Sequence, residues 1–135
     1  MTRAATPAIA ALIAAGVPHE VLTYHHDARS ESYGDEAVAV LPVPCKLSLK
    51  AAAAALGWSK VAMAERSAAE RSTGYVLGGI SPLGQRRPLP TVVDTSALEF
   101  DRVLCSAGKR GWDVALDPHD LTRLTGAVIA NIRAL

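Results

Sequence analysis

The segment RSTGYVLGGISPLGQRRPLP, residues 71–90, restricts the folds open to this chain more than any other part of the sequence. It contains four of the ten glycines and three of the eight prolines, with apolar residues interspersed among them. Such a mixture excludes a long regular element, while the apolar side chains indicate burial. The segment therefore predicts a buried irregular loop, which either makes tight turns between strands or brings bare backbone close to a small ligand.

The glycine spacing does not make a nucleotide-binding loop. Gly79 and Gly84 are spaced as in a phosphate-binding P-loop, but Gln85 and Arg86 stand where that motif requires Lys followed by Ser or Thr. The groups that would contact the β- and γ-phosphates and magnesium are therefore missing, and the GxGxxG pattern fails as well. A nucleotide-binding domain remains the weakest of the alternatives.

Apolar periodicity and capping residues predict a single α+β domain around a curved sheet. Helices are predicted at 7–15, at 49–56, behind a capping box of Ser67 and Glu70, and from 118 to about 135, with Gly126 as a candidate break point. Strands are predicted at 19–26, 38–43, 60–64, 90–94, 102–106 and 112–116.

Composition limits the partners and the compartment of the protein. Half of the residues are hydrophobic but only 4% are aromatic, so the core must be mainly aliphatic. The formal net charge is +1, so a site for a polyanion would have to be a local cluster. Two cysteines without metal-type spacing fit a reducing cytoplasm, and the absence of a long apolar segment predicts no membrane partner.

A second glycine-containing loop, CSAGKRGWD at 105–113, offers several polar groups between two predicted strands. Ser106 supplies a hydroxyl, Asp113 a carboxylate, and Lys109 with Arg110 suits phosphate. Taken singly, each of these fits a solvated turn better than a site. If the two loops lie side by side, three further cations could join them, namely Arg71, Arg86 and Arg87.

The histidines and cysteines suggest little chemistry. His19, His25, His26 and His119 show no metal-binding spacing, and no serine or cysteine is paired with a histidine in a recognisable catalytic motif. Cys105 adjoins the cationic loop and could be activated there, although a strand cysteine is more often part of a core. We therefore expect neither a metal nor a cofactor.

The loops identify a family. RSTGYVLGGISPLGQ, followed by LPTVVD and SAGKRG, closely resembles the YbaK/EbsC family, the freestanding relatives of the editing domain inserted in bacterial prolyl-tRNA synthetase. The resemblance extends over nearly the whole chain, through TPAIAALIAAGVPHEVLTYHHD, YGDEA, AVAVLPV and LSLKAAAAALG. Within the family, the chain is most similar to the Cys-tRNA(Pro) deacylases, which remove cysteine from mischarged proline tRNA.

The resemblance implies a fold, an activity and a set of site residues. The fold is a mixed, barrel-like sheet with flanking helices, and the activity is hydrolysis of misacylated tRNA without a nucleophile from the protein. The partners are the acceptor end of tRNA and prolyl-tRNA synthetase, with no DNA. Motif by motif, the implied catalytic residues are Tyr24, Gly78, Ser106 and Asp113. Substrate binding falls to Arg71, Ser72, Thr73, Gly74 and Gly79, with Lys109 and Arg110 added from their charge.

The chain departs from the family pattern at about 36–38, within an otherwise single domain spanning 1–135. There the family continues through a helix, a strand with a functional lysine, and a hairpin, none of which is matched here. Lys46 is not a replacement, because it follows the matching strand. Loss of a central strand would leave buried backbone groups unpaired, each costing about 1–3 kcal/mol. We therefore expect the natural protein to carry this segment.

Two other functions stay open. The chain could deacylate tRNA charged with alanine or another small amino acid, because pocket size and a thiol decide such selectivity. It could also be a catalytically impaired module that binds aminoacyl-tRNA or a synthetase, because the family lysine is unmatched.

Overall fold

The structure is a computed structural model that describes residues 6–23, 31–33, 37–63, 66–76, 79–86 and 88–134. The α-helices are α1 (Pro7–Ala15), α2 (Leu49–Leu56), α3 (Arg66–Thr73) and α4 (Pro118–Thr125), and a 3-10 helix spans Thr95–Glu99. The strands are β1 (His19–Thr23), β2 (Glu31–Tyr33), β3 (Ala37–Val40), β4 (Thr91–Asp94), β5 (Val103–Lys109), β6 (Trp112–Leu116) and β7 (Val128–Ala130). The predicted α+β class is confirmed.

Local capping sets the bounds of the first two helices, as predicted. The Thr6 side chain accepts a hydrogen bond from the Ile9 amide at the start of α1, and Ser48 does the same for Ala51 in α2. Both helices end at a glycine in the left-handed region, Gly16 with φ +66° and Gly57 with φ +76°. Such a residue satisfies the last carbonyls without steric cost.

The strands form two sheets in the described part of the chain, in place of one closed barrel. One sheet has the order β1-β6-β5 and is antiparallel throughout. The other has the order β2-β3-β4-β7, in which β2 and β3 are antiparallel and the remaining pairs are parallel. The expectation of a barrel-like sheet is therefore corrected to two sheets with helices packed against them.

Each sheet carries its own buried cluster. The three-stranded sheet packs against α1 and the glycine-rich segment, which buries Tyr75, Ile80 and Leu83. The four-stranded sheet packs against α2, with Val92 and Ile132 at its centre. The prediction that residues 71–90 form a buried irregular loop is thus confirmed for Tyr75, Ile80 and Leu83, which no strand includes.

Three predictions need correction, although the helix containing Ser67 and the break at Gly126 are confirmed. Residues 60–63 form no strand, and α3 begins at Arg66, so the Ser67–Glu70 pair does not cap it. The final helix ends at Thr125 because Gly126 has φ +64° and closes its last turn by donating to carbonyls of that turn. The chain then enters β7, which pairs with β4 in parallel.

A buried carboxylate joins β4 to the C-terminal segment. Asp94 accepts hydrogen bonds from the amides of Ser96 at 3.1 Å and Ile132 at 2.9 Å, and Arg133 Nε lies 3.1 Å from its Oδ2. Burial alone would raise the pKa of Asp94, but these hydrogen bonds and Arg133 hold it below the usual aspartate value. The charge is therefore stabilised in the folded state.

Among the residues that the structure describes, no helix has the length and apolar character needed to span a membrane.

Candidate functional site

A cavity of about 440 Å³ opens where the start of α1, the glycine-rich segment and the β5–β6 hairpin meet. The two glycine-containing loops of the sequence therefore lie side by side, which is the condition for further cations to join Lys109 and Arg110. The described walls of the cavity are Thr6, Pro7, Gly74, Tyr75, Val76, Gly79, Gly108, Lys109 and Arg110.

Gly79 brings the two loops together through bare backbone. It is buried, and a Cβ added there would lie 2.8 Å from the Arg110 nitrogen and 3.0 Å from the Lys109 carbonyl carbon. Real Cβ atoms do not approach backbone so closely, so only glycine permits this contact. The glycines are both closely packed and beside an opening, which combines the two roles that the sequence left as alternatives.

Gly84 makes a similar approach to the start of α1. Its φ is +61°, and a Cβ there would lie 2.4 Å from the carbonyl oxygen of Pro7. The glycine-rich loop therefore packs directly against the first turn of α1. This contact fixes Pro7 and Thr6 as one wall of the cavity.

Tyr75 holds the walls of the cavity in place. Its hydroxyl donates to the Leu83 carbonyl. Its ring lies against Gly108, where a Cβ would be only 2.6 Å from Cε1. Burial raises the pKa of Tyr75 well above its ordinary value, with a further contribution from Cys105. The phenol therefore stays protonated and serves as a fixed hydrogen-bonding group.

Thr6 and Thr73 complete this frame with internal hydrogen bonds. Thr6 Oγ1 caps α1 and also donates to the carbonyl of Ala107 in β5. Thr73 Oγ1 donates to the Ala69 carbonyl at 2.8 Å, and the Thr73 carbonyl accepts from the Arg86 amide at 2.8 Å. Thr73 is therefore a buried support behind the cavity wall.

Ser106 and Asp113 lie directly opposite each other on β5 and β6, behind the hairpin tip. Ser106 is buried, and its Oγ accepts from the Gly108 amide at 3.1 Å. Neither residue is among the described walls of the cavity. Because Cys105 and Val114 face the core, alternation places Ser106 and Asp113 on the other face of the sheet.

The structure brings together four of the predicted site residues, Gly74, Gly79, Lys109 and Arg110. Arg71 is exposed at the end of α3 and does not line the cavity. Tyr24 and Gly78 lie outside the described residues, as does the side chain of Ser72. The catalytic roles assigned to Tyr24, Gly78, Ser106 and Asp113 stay predictions.

Two groups with potential reactivity lie outside the cavity walls. Burial, with the nearby Asp113 carboxylate, raises the pKa of the Cys105 thiol to about 12, so the activated thiolate considered from the sequence does not form. Lys46 is exposed next to the C-terminal segment, where its carbonyl accepts from the Ala134 amide, and it does not line the cavity. No cluster of metal-binding side chains occurs in the described ranges.

Five wall residues escaped the sequence-based assignment: Thr6, Pro7, Tyr75, Val76 and Gly108. Thr6 and Pro7 were interpreted only as the start of α1, because nothing local indicates contact with Gly84, far along the chain. Tyr75 had a usable signal. It is a tyrosine inside a glycine-rich, buried segment, where a phenol hydroxyl needs a partner.

Residues 27–124 match the family described as the aminoacyl-tRNA editing domain. The chain belongs to this family. It is also 39% identical, over 95 residues, to a protein of Enterococcus faecalis named as a candidate Cys-tRNA(Pro)/Cys-tRNA(Cys) deacylase, EbsC. The match covers 70% of this chain and 58% of that protein, so this chain spans less than two thirds of that relative.

Solved structures share the fold at low sequence identity. One is described as a candidate trans-editing enzyme for prolyl-tRNA synthetase, with a TM-score of 0.85, 21% identity, and coverage of 100% of this chain and 99% of that chain. Another is from work on scaffold proteins for epitope grafting, with a TM-score of 0.86, 22% identity and the same coverage. The architecture of the editing domain is thereby confirmed for this chain.

Proposed function

We propose that this protein hydrolyses misacylated tRNA, with Cys-tRNA(Pro) as its main substrate. The observation that carries the proposal is the cavity of about 440 Å³ bordered by the bare backbone of Gly74 and Gly79, in a chain of the editing-domain family. Its volume lies within the range of ordinary small-ligand sites, about 300–1,000 Å³. The aminoacyl ester enters this cavity, and prolyl-tRNA synthetase is the proposed source of the mischarged tRNA.

The substrate supplies its own nucleophile. The cysteine sulfur loses its proton and attacks the ester carbonyl carbon, the bond to the ribose oxygen breaks, and that oxygen takes up the proton that the thiol lost. The product is a cyclic thioester, which water opens to free cysteine. Intramolecular attack of this kind gains its rate from proximity, so the protein needs only to hold the ester in a reactive geometry.

The nucleophilic side chains in and near the cavity are not activated, which supports this mechanism. Cys105 keeps its proton, and the Tyr75 hydroxyl is occupied by its buried hydrogen bond. The proposed catalytic contribution comes from backbone at Gly78, with Tyr24, Ser106 and Asp113 acting on the same substrate. Substrate binding is assigned to Ser72, Gly74 and Gly79, with Lys109 and Arg110. Arg71 and Thr73 do not line the cavity, and their proposed role in binding is to support its wall.

The test compares two substrates that differ by one atom. Cys-tRNA(Pro) and Ser-tRNA(Pro) have nearly the same size, but a serine hydroxyl is a far weaker nucleophile than a thiol. We expect release of cysteine to exceed release of serine by about 100-fold or more, because only the thiol gains from proximity. Equal rates would contradict the substrate-assisted step, and no release of either amino acid would contradict the function.

A second function is favoured by one observation. Lys46 does not line the cavity, and no other lysine matches the family position. A chain without that lysine could bind aminoacyl-tRNA without turnover. We propose instead that the natural protein contains the lysine-bearing segment. An intact mass clearly above 14.1 kDa supports this proposal, whereas a mass near 14.1 kDa favours the binding module.

Release of alanine from Ala-tRNA(Pro) separates cysteine deacylation from deacylation of small amino acids in general.

A further inference from the structure

We propose that Lys109 and Arg110 form a phosphate-binding lip on the cavity. This lip takes the phosphodiester that precedes the 3′-terminal nucleotide of the acceptor strand, and Trp112 is the positioning residue for Lys109. The proposal rests on the proposed function, because it assumes that the aminoacyl ester lies in the cavity. It adds which part of the RNA is held, and by which side chains.

The hairpin places Lys109 and Arg110 together at the cavity. Adjacent residues of a regular strand face opposite sides of its sheet. Here the register shifts between Ser106 and Lys109, so that Ser106 pairs with Asp113 and Lys109 already pairs with Trp112. This bulge interrupts the alternation of β5 before Lys109, and Arg110 follows in the turn, so that residues Gly108 to Arg110 all line the cavity.

Lys109 is held in position before any ligand binds. Its Nζ lies 4.6 Å from the centroid of the Trp112 ring, within the range of a cation–π contact. Trp112 itself is half-buried and packs against the core of the three-stranded sheet. A flexible lysine is thereby fixed on a rigid surface at the rim of the cavity, which lowers the entropic cost of binding an anion.

The backbone at the start of α1 offers few donors to an anion. Pro7 has no amide hydrogen, and the Ile9 amide donates to Thr6. The first turn of α1 therefore contributes mainly through its dipole, which favours negative charge nearby. The described walls of the cavity include no Asp or Glu side chain.

Arg86 adds a positive group beside the wall residue Gly74. The Arg86 side chain lies against Gly74, where a Cβ would be 3.2 Å from Arg86 Cβ and 3.6 Å from its Nε. Arg86 is exposed. A chain with a net charge of only +1 thus concentrates cations around one opening, which is the local cluster that a polyanion needs.

The probe is an acceptor-stem RNA that ends in CCA and carries no amino acid, used with the full chain. Binding is measured from 0.05 to 0.3 M salt by fluorescence anisotropy. A contact with a single-stranded phosphate contributes about −0.7 to the slope of log affinity against log salt. The double variant Lys109→Gln and Arg110→Gln should therefore lose about 0.7 to 1.4 of that slope. Lys50→Gln, at an exposed cation on α2, should leave the slope unchanged.

A second RNA locates the phosphate. It carries an uncharged methylphosphonate in place of the phosphodiester before the terminal adenosine. This change should weaken binding to the wild type and have little further effect on the double variant, because both remove the same contact. An equal effect on both proteins, or none on the wild type, would overturn the proposal. Inorganic phosphate that competes at the same concentration as RNA phosphate would instead identify a small-anion site and also overturn it.

The role of Trp112 is tested by a conservative pair. Trp112→Leu should weaken the methylphosphonate effect by about two- to fivefold, and Trp112→Phe should restore part of it by supplying another aromatic face. Equal effects for the two variants would contradict a positioning role. Thermal unfolding of each variant establishes that it is folded. Because the RNA carries no amino acid, this binding test remains valid even if the protein hydrolyses no aminoacyl-tRNA. Conversely, a failure to find the phosphate contact does not decide the proposed function, which has its own assay.

Discussion

Replacing Gly84 with alanine should destabilise the fold more than the same change at Gly126. Both glycines adopt nearly the same left-handed backbone conformation, with φ +61° at Gly84 and φ +64° at Gly126. A Cβ at Gly126 meets no atom within 4 Å, whereas at Gly84 it would lie 2.4 Å from the Pro7 oxygen and 2.9 Å from the Ala8 nitrogen. The pair therefore separates backbone strain from steric overlap.

The expected magnitudes follow from these distances. Alanine in the left-handed region costs about 1–2 kcal/mol, which is the whole effect expected for Gly126→Ala. At Gly84 the loop and the start of α1 must also separate by about 1 Å to reach ordinary contact, and overpacking of this kind costs about 1–3 kcal/mol more. Gly84→Ala should thus lower the free energy of unfolding by about 2–5 kcal/mol, a large part of a typical total of about 5–15 kcal/mol.

Urea unfolding of both variants, followed by circular dichroism, measures the difference. The dependence of the unfolding free energy on urea should match the wild type, because neither change alters the surface exposed on unfolding. Equal losses for Gly84→Ala and Gly126→Ala would refute the inference that the glycine-rich loop packs against the backbone of α1. The inferred wall formed by Thr6 and Pro7 would then be wrong as well.

Three further changes test the site and the fold. Tyr75→Phe keeps the ring against Gly108 but leaves the Leu83 carbonyl without its donor, so urea unfolding should show a loss of about 1–3 kcal/mol, and a loss near zero would contradict the hydrogen bond. Gly79→Ala places a Cβ 2.8 Å from the Arg110 nitrogen and should displace the hairpin, lowering the deacylation rate by about tenfold or more in a folded protein; an unchanged rate would show that the loop contact is not needed. Because the folded pKa of Asp94 is lowered, its stabilisation is present above the unfolded pKa of 3.8 and is lost as the pH falls through the folded pKa. Urea unfolding below about pH 4 should therefore show a steeper loss for the wild type than for Asp94→Asn, whereas parallel losses would contradict the assignment.

The elements that sequence predicted well are those set by neighbouring residues. The starts of α1 and α2 depend on Thr6 and Ser48, and their ends depend on glycines that close the last turn. Such signals act within one helical turn, so a sequence displays them directly. Strands β5 and β6 were likewise found from short runs of strand-forming residues.

The errors occurred where a distant partner decides the structure. Residues 128–130 are only three in number, and they form a strand because β4 lies beside them in parallel. No local pattern contains that information, so the sequence indicated Gly126 as a candidate break point but predicted helix, and not strand, beyond it. The Ser67–Glu70 pattern is local but describes a site inside α3, which begins earlier at Arg66.

The candidate site shows the same division. The glycine-rich backbone and the cations of the second loop were predictable from residue type, because glycine permits close approach and lysine and arginine suit phosphate. The roles of Thr6 and Pro7 were not predictable, since they reach the cavity only through the contact of α1 with Gly84. Family resemblance supplied the assignments of Tyr24 and Gly78, which physical arguments from the sequence did not provide.

The most direct measurement is a crystal structure with a stable analogue of the substrate, in which an amide replaces the ester between cysteine and the 3′ position of adenosine. We expect the aminoacyl group to lie in the cavity beside Gly74 and Gly79, with the adenosine extending toward Lys109 and Arg110. An analogue bound elsewhere on the protein, with this cavity unchanged, would contradict the account.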